Sequence, residues 1–366
     1  MLFSTQDIDL LRLLRWCRFL SCGDILPLFP ADVIENLLSL KLLRQHCPEQ
    51  LLYLLTRGNA LLDETFTALP PATPPSYKAS ETLRRSRVSK ILLTAYRARL
   101  SVFTSSLQAL ASTGTCFLPT VMRGRGSNPW GSTRIAALLN LGDILYAVHY
   151  VCPGIGRLAL TDELTAFINN TASFRSYERR LIFAGASCDE ILTELSEPLD
   201  GRDTKLVTYA DAYRQLHLPV HLLPCGDLGA RQLQLMNVSG YRERLSKLAL
   251  RSQYTPPPKE IPCWDACYER HPVCIAADLE LRRIDAAVDT AKTENCSPVY
   301  LVALDEQLDS ILLPRYRSDR QVRFFALKEA ALAELLGQPT GLYAPPPTQF
   351  LTEKGAVIRA PLIKTH

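Results

Sequence analysis

From Ser4 to Glu64 the chain shows three apolar patterns of helical spacing, then a short alternating hairpin pattern, then one more helical pattern. Ser4 followed by Asp7 reads as an N-cap. Leu10, Leu13, Leu14, Cys17 and Leu20 then recur on one helical stripe, with Asp9, Arg12 and Arg15 off it. Ser21-Cys22-Gly23-Asp24 is a turn from which a second helix starts at Asp24. Pro30 opens a third helix, because a proline at the first helical position gives up no hydrogen bond. Val33, Ile34, Leu37, Leu38 and Lys41 share one side of that helix, the first four anchoring it on a core. A strand near 42–46, a turn at Cys47-Pro48-Glu49, a strand at 51–55 and a helix from Thr56 to near Glu64 complete the series. Three helices, a two-stranded wing and a closing helix is the order of a winged helix-turn-helix; the alternative is a small helical bundle with a hairpin. In a helix-turn-helix the third helix enters the major groove. Its outward positions here are Asp32, Glu35, Asn36 and Ser39. Two carboxylates repel phosphate, whereas Asn36 and Ser39 can read base edges. Anchoring then falls to Arg44, His46 and Arg57 around the wing, or the module binds protein.

Proline clusters mark the joints. LPPATPPS at 69–76, TPPPKEIP at 255–262 and APPPTQF at 344–350 favour extended chain over helix. They suggest a winged helix at 1–68, a linker at 69–82, an α/β domain at 83–254, a βαβ-type extension at 255–343 and a tail with little packing at 344–366. Strand-length apolar runs at 144–151, 180–185, 205–209, 219–224, 272–278, 298–304 and 321–327 alternate with helical patterns at 133–141, 187–195, 228–250 and 279–294, and a short helix follows the last strand. That alternation predicts an α/β fold, α+β overall, with helices packed on mixed sheet. The apolar fraction of 47% is ample for real cores, but a net charge of +4 exerts no bulk pull on nucleic acid, so any basic surface must come from local clustering. Eleven scattered cysteines suit a reduced, cytoplasmic protein with mostly buried thiols. Arg12, Arg15 and Arg18 interrupt the N-terminal apolar run as in an amphipathic helix and not a secretory core, and no charge-free apolar window approaches the ~18 residues of a membrane span.

The segments LRWCRFLSCGDI, VIENLLSLKLLRQH and LYLLTRGNALL resemble the replication-relaxation family of plasmid and conjugative-element proteins. The likeness is close over the N-terminal module and looser over the alternation that follows. It implies a DNA-binding or DNA-processing role in plasmid replication or mobilisation. For relatives regarded as relaxases, it also implies a restriction-endonuclease-like core, degenerate here. Such a core holds magnesium or manganese with an Asp and a Glu-x-Lys. No Glu-x-Lys occurs in this chain; Glu178-Arg179-Arg180 is the nearest imitation, with Asp143 as the first carboxylate. Arginine keeps its charge and does not readily deprotonate, so it suits the lysine's role poorly.

Arg84, Arg85, Arg87, Lys90, Arg97 and Arg99 fall in one helical stretch with Tyr96, and Arg123, Arg125 and Arg134 surround the glycine-bearing loop MRGRGSNPWGSTR. Together they could neutralise several phosphates; the alternative is a solvated helix face. The loop has the glycine spacing of a phosphate-binding loop, and Asp278 imitates a metal-holding acid after a strand. Serine replaces the required lysine, however, which favours an ordinary surface loop. Cys263, Cys267, His271 and Cys274 are the right types for structural zinc, but C-x3-C-x3-H-x2-C departs from the usual pairs and unligated thiols are preferred. Pro219 between His217 and His221 excludes a zinc-protease helix, Gly185–Asp189 is not a nucleophile elbow, and nothing marks Tyr241 or Tyr254 as a nucleophile.

The reading is a non-enzymatic DNA-binding or DNA-processing accessory of a mobile element. It needs no cofactor, binds double-stranded DNA, and works as a homodimer or with mobile-element proteins away from membranes. Rival readings are a magnesium- or manganese-dependent relaxase or nuclease using Asp143, Asp162, Glu163 or Glu178, and an interaction module whose winged helix dimerises or docks.

Overall fold

A computed structural model describes residues 2–46, 50–72, 78–122, 130, 133–151, 160–174, 177–196, 217–337, 343, 349–352 and 357–359. Helices and mixed sheets build an overall α/β fold. The N-terminal order is β1 (Leu2–Ser4), α1 (Thr5–Cys17), β2 (Leu20–Ser21), α2 (Cys22–Ile25), α3 (Ala31–Ser39), β3 (Leu43–His46), β4 (Leu51–Leu54) and α4 (Thr56–Thr65). Helix α1 begins where the sequence predicts. The Asp7 amide donates to Ser4 Oγ at 3.0 Å, and the Ser4 amide donates to the Asp7 carboxylate at 2.7 Å. Strands β2, β4 and β3 form an antiparallel sheet in that order, with Leu20 opposite Leu52 and Leu43 opposite Leu54. Helix α4 lies tight on this sheet: a Cβ at Gly58 would sit 2.5 Å from the Leu42 carbonyl oxygen.

The polar residues of α1 differ from expectation. Asp9 and Arg15, off the apolar stripe, are buried along with it. Asp9 accepts a 2.8 Å hydrogen bond from the Tyr96 hydroxyl, and Arg15 donates to Pro70 O and to Asp63, both at 2.7 Å. The Arg12 guanidinium lies 3.7 Å from the Phe103 ring centroid and 4.6 Å from that of Phe66. These contacts seal α1 against the rest of the chain, because its polar side faces protein. The principal contact is α5 (Ala79–Arg97), a spine whose Val88, Ile91, Leu92, Ala95 and Tyr96 are buried. One apolar core runs from Phe3 through Leu92 and Leu233 to Leu335.

A five-stranded sheet has the order β5 (Thr115–Phe117), β6 (Ala137–Leu141), β7 (Ile144–Tyr150), β8 (Glu178–Gly185) and β9 (Val220–Pro224). The first three strands are antiparallel and the last three parallel, with Ile144 beside Glu178 and Leu181 beside Val220. Helix α6 (Leu160–Asn170) lies in the β7–β8 connection and α7 (Cys188–Ser196) follows β8. The predicted helix at 133–141 is corrected: its apolar part is β6. All five β6 residues are buried, so the strand has no exposed side to impose a period of two. The predicted helical stretch at 228–250 is two helices, α8 (Asp227–Met236) and α9 (Tyr241–Leu250). The predicted strand at 205–209 lies outside the described residues.

A four-stranded sheet follows, in the order β10 (Ala266–Tyr268), β11 (His271–Ile275), β12 (Val299–Ala303) and β13 (Val322–Ala326); β10 is antiparallel and the others parallel. Helix α10 (Leu281–Thr293) joins β11 to β12, and α11 (Glu329–Leu336) follows β13. The two large sheets meet where the Leu222 amide donates to Leu279 O at 3.2 Å. The expectation of a loosely packed tail also needs correction. Strands β14 (Gln349–Thr352) and β15 (Val357–Arg359) pair with each other, and β14 pairs with β1, Leu2 opposite Thr352. The backbone groups of β1 would otherwise form an open edge, and the short apolar runs after the last proline cluster close it. Tyr343 carries the chain there; its amide donates to Arg97 O at 2.9 Å and its ring meets Tyr96 at 5.0 Å. Among the described residues no helix is long and apolar enough to cross a membrane.

Candidate functional sites

Helix α3 buries Val33, Ile34 and Leu37 and leaves Asp32, Glu35, Asn36 and Ser39 exposed, as its spacing predicts. Arg44 projects from β3 and Arg57 from the start of α4, both exposed, and Arg57 donates to Leu40 O at 3.3 Å where α3 ends. Lys41 is exposed at the same end, reached through a left-handed turn (φ 55°). Sequence spacing placed it on the anchoring side, but the helix has already stopped at Ser39. Among the described residues no carboxylate pairs with Lys41, Arg44 or Arg57. The α3 surface is therefore polarised, acidic at its beginning and cationic at its end.

The basic stretch on α5 does not present its cations on one exposed face. Arg85 is 2% exposed and lies 3.6 Å from Glu81, which Arg18 approaches at 3.3 Å and Arg84 at 3.9 Å. Arg97 is paired with Asp227. Arg87 and Lys90 are half-buried, and Lys90 lines a crevice with Asp24, Thr94, Arg97 and Cys225. The assignment of Arg84, Arg85, Arg87, Lys90 and Arg97 to a common DNA face is thus corrected: α5 is a core helix whose cations are mostly half-buried or paired. Arg123 and Arg125 lie outside the described residues.

The acids proposed for metal chemistry do not converge either. Asp143 is exposed in the β6–β7 turn, and Glu178 is exposed at the start of β8, 2.9 Å from Arg180. Glu163 is buried on α6, where both its oxygens accept the Arg134 amide at 2.7 and 2.9 Å. Arg134 precedes β6 and Asp143 follows it, so the strand's length, about 17 Å at 3.3 Å per residue, separates Glu163 from the other two. Nothing is described of the Asp162 side chain. The four residues weighed as zinc ligands do not gather either, for no three of Cys263, Cys267, His271 and Cys274 bring ligand atoms within 4.8 Å of one another. Cys267 and Cys274 face one side of the β10–β11 hairpin and His271 the other, against Tyr300 at 6.0 Å. Burial also pushes the Cys274 thiol up to about 12, away from the thiolate a metal requires.

Sequence reasoning missed a buried ionic cluster where the two large sheets meet. His221 of β9 and Asp278, just beyond β11, are both fully buried, and Glu280 lies beside them; one ligand atom from each falls within 4.8 Å of the others. Asp278 Oδ2 accepts from Arg242 Nε at 2.9 Å and from the Tyr241 hydroxyl, and Glu280 accepts from Arg242 Nη2 at 2.6 Å. Arg283 reaches Asp278 at 3.6 Å and bonds Asp265 at 2.7 Å. Burial alone would raise the Asp278 carboxyl, but the guanidinium groups of Arg242 and Arg283 outweigh it and hold the group well below the ordinary carboxylate range. Burial lowers His221 to about 4, so its ring is neutral; Nδ1 contacts Asp278 O at 3.1 Å, and Nε2 has no hydrogen-bond partner among the described residues.

This donor set fits a guanidinium better than a metal ion. Arg242 bridges the two carboxylates, and a divalent cation would have to displace a permanently charged side chain held on both sides. The cluster ties β9, the end of β11, α9 and α10 together, and a cavity of about 460 Å³ lined by Arg180, Arg242, Tyr254, Trp264 and Asp265 opens beside it. The one hint in the sequence was Asp278, an acid closing an apolar strand; its partners come from positions 221 to 283 and follow no local motif. No family model, curated protein or solved structure matches this chain.

Proposed function

We propose that residues 4–66 form a winged helix that binds duplex DNA through the exposed face of α3 and the adjoining wing, and that the protein is a non-catalytic DNA-binding accessory of a mobile element. The observation carrying this reading is the exposed α3 face, ending in three exposed cations, Lys41, Arg44 and Arg57, with no carboxylate paired to them among the described residues. The sheet order β2-β4-β3 supports the same fold, since a wing hairpin pairs back onto the strand that follows the first helix. Asn36 and Ser39 would face base edges while the cations hold phosphates; Asp32 and Glu35 disfavour close approach at the start of the helix and tilt the contact toward its end. The resemblance to replication-relaxation proteins supplies the biological setting, replication or mobilisation of a plasmid or conjugative element.

A non-catalytic role for the α/β part, read as a degenerate restriction-endonuclease-like core, is supported by the separation of Asp143, Glu163 and Glu178 and by the hold of Arg242 on Asp278 and Glu280. The test is fluorescence anisotropy with labelled duplex DNA and the triple variant Lys41→Ala, Arg44→Ala, Arg57→Ala. Loss of binding in a variant of unchanged melting temperature supports the proposal. Undiminished binding places the interface elsewhere. If the wild type binds no duplex yet dimerises through α3, the module is an interaction device.

A further inference from the structure

The four-stranded sheet has α10 on one face and a groove of about 510 Å³ on the other, bounded by the end of α9 and by α11. Three aromatic rings from three strands line it: Tyr268 of β10, Tyr300 of β12 and Phe325 of β13. Their centroids follow one another at 5.8 Å and 5.3 Å, each pair edge to face. Phe325 is 54% exposed, the most open large apolar side chain among the described residues. Beneath the rings Val273 is buried, so the floor is rigid sheet and the rings stand on it.

The rim is cationic. Arg251 at the end of α9 and Lys328 at the start of α11 are exposed and line the groove, and Arg323 is exposed beside Tyr300 in register. Among the described residues no carboxylate pairs with any of the three; Arg323 donates only to backbone carbonyls, at 3.1 and 3.2 Å. Glu334 is the one acid lining the groove. An aromatic row open at Phe325, with Tyr300 and Tyr268 half-buried behind it and cations on the rim, suits a single-stranded nucleic acid, since bases stack on rings whatever their sequence while the cations follow the backbone. Duplex DNA offers no exposed base faces to such a platform, and a purely apolar peptide would leave the cations unanswered.

We infer that this groove binds single-stranded nucleic acid, with bases on Tyr268, Tyr300 and Phe325 and phosphates on Arg251, Arg323 and Lys328. The inference does not depend on the winged-helix reading, because the two surfaces share no residue. It is tested on the full chain with a fluorescein-labelled oligo(dT) of about twenty nucleotides, long enough to cover one platform. Phe325→Ala should weaken binding by about 5- to 140-fold, the range expected for one stacked base. Lys328→Glu should weaken it and flatten the salt dependence by close to one phosphate, a slope change of about 0.7. Both positions are exposed, so both variants should melt with the wild type. The triple variant at Lys41, Arg44 and Arg57 should bind oligo(dT) normally even where duplex binding is lost. Absent oligo(dT) binding, or binding untouched by both groove variants, overturns the inference. So does a concentration-dependent dimer that Phe325→Glu dissolves without any oligonucleotide bound, which would give the groove to a second copy of the chain.

Discussion

Asp278→Asn isolates what the buried cluster contributes. The substitution keeps size and shape but removes a charge that is fully buried and shared by Arg242 and Arg283. Breaking a buried ion pair from one side costs about 3–5 kcal/mol, chiefly because the partner stays buried without its counter-charge. Here Arg242 keeps Glu280 at 2.6 Å and Arg283 keeps Asp265 at 2.7 Å, which places the cost near the lower end, about 3 kcal/mol. With a urea m value near 3 kcal/mol/M, the unfolding midpoint should fall by about 1 M. Tryptophan fluorescence is a suitable readout because Trp264 is buried nearby and lines the same cavity. The control is Glu178→Gln, which removes an exposed partner of Arg180 and should cost at most about 1 kcal/mol. The Asp278 carboxyl is depressed in the folded state, so its contribution is full above the unfolded carboxyl range, near pH 4, and is lost as pH falls further. A midpoint for Asp278→Asn within about 0.3 M of wild type, with m unchanged, would refute the claim that this cluster holds the sheets together.

Two further outcomes follow from packing and burial. Gly229→Ala should destabilise although alanine normally favours a helix by about 1 kcal/mol over glycine, because its Cβ would lie 2.0 Å from the Pro224 carbonyl oxygen; a raised melting temperature would contradict that contact. Burial lowers both His149 and His221 to about 4, so the folded chain resists protonating them while the unfolded chain does not. Each should withdraw about 3 kcal/mol of stability as pH drops from 6.5 to 4, full stability lying above that window. His149→Phe should flatten the melting-temperature profile across it, and superimposable profiles would show that His149 does not titrate this way.

What the sequence reveals here depends on the range of the forces involved. The Ser4–Asp7 cap, the face of α3 and the strands 144–151, 180–185 and 219–224 can be read because capping and periodicity act within a few residues. Strand β6 cannot, since a run buried on all sides has no polar face to report its period. The arginines of α5 illustrate a second limit: a charge run looks the same whether it meets solvent or Glu81 and Asp227, which come from other parts of the chain or from the helix itself. Asp278 can be noticed as an acid after a strand, but Arg242 and His221 reach it only through the meeting of two sheets. The aromatic groove is likewise spread over residues 248 to 334, with no local motif.

Whether α3 and the adjoining hairpin hold duplex DNA is read from a salt titration of duplex affinity. If Lys41, Arg44 and Arg57 each neutralise one phosphate, they contribute a slope of about −2.7 in log affinity against log salt, roughly a 40-fold loss between 50 and 200 mM. The wild type should show at least that slope and the triple alanine variant should lose it, with the fold intact. Duplex binding whose salt slope is the same in both proteins would contradict it.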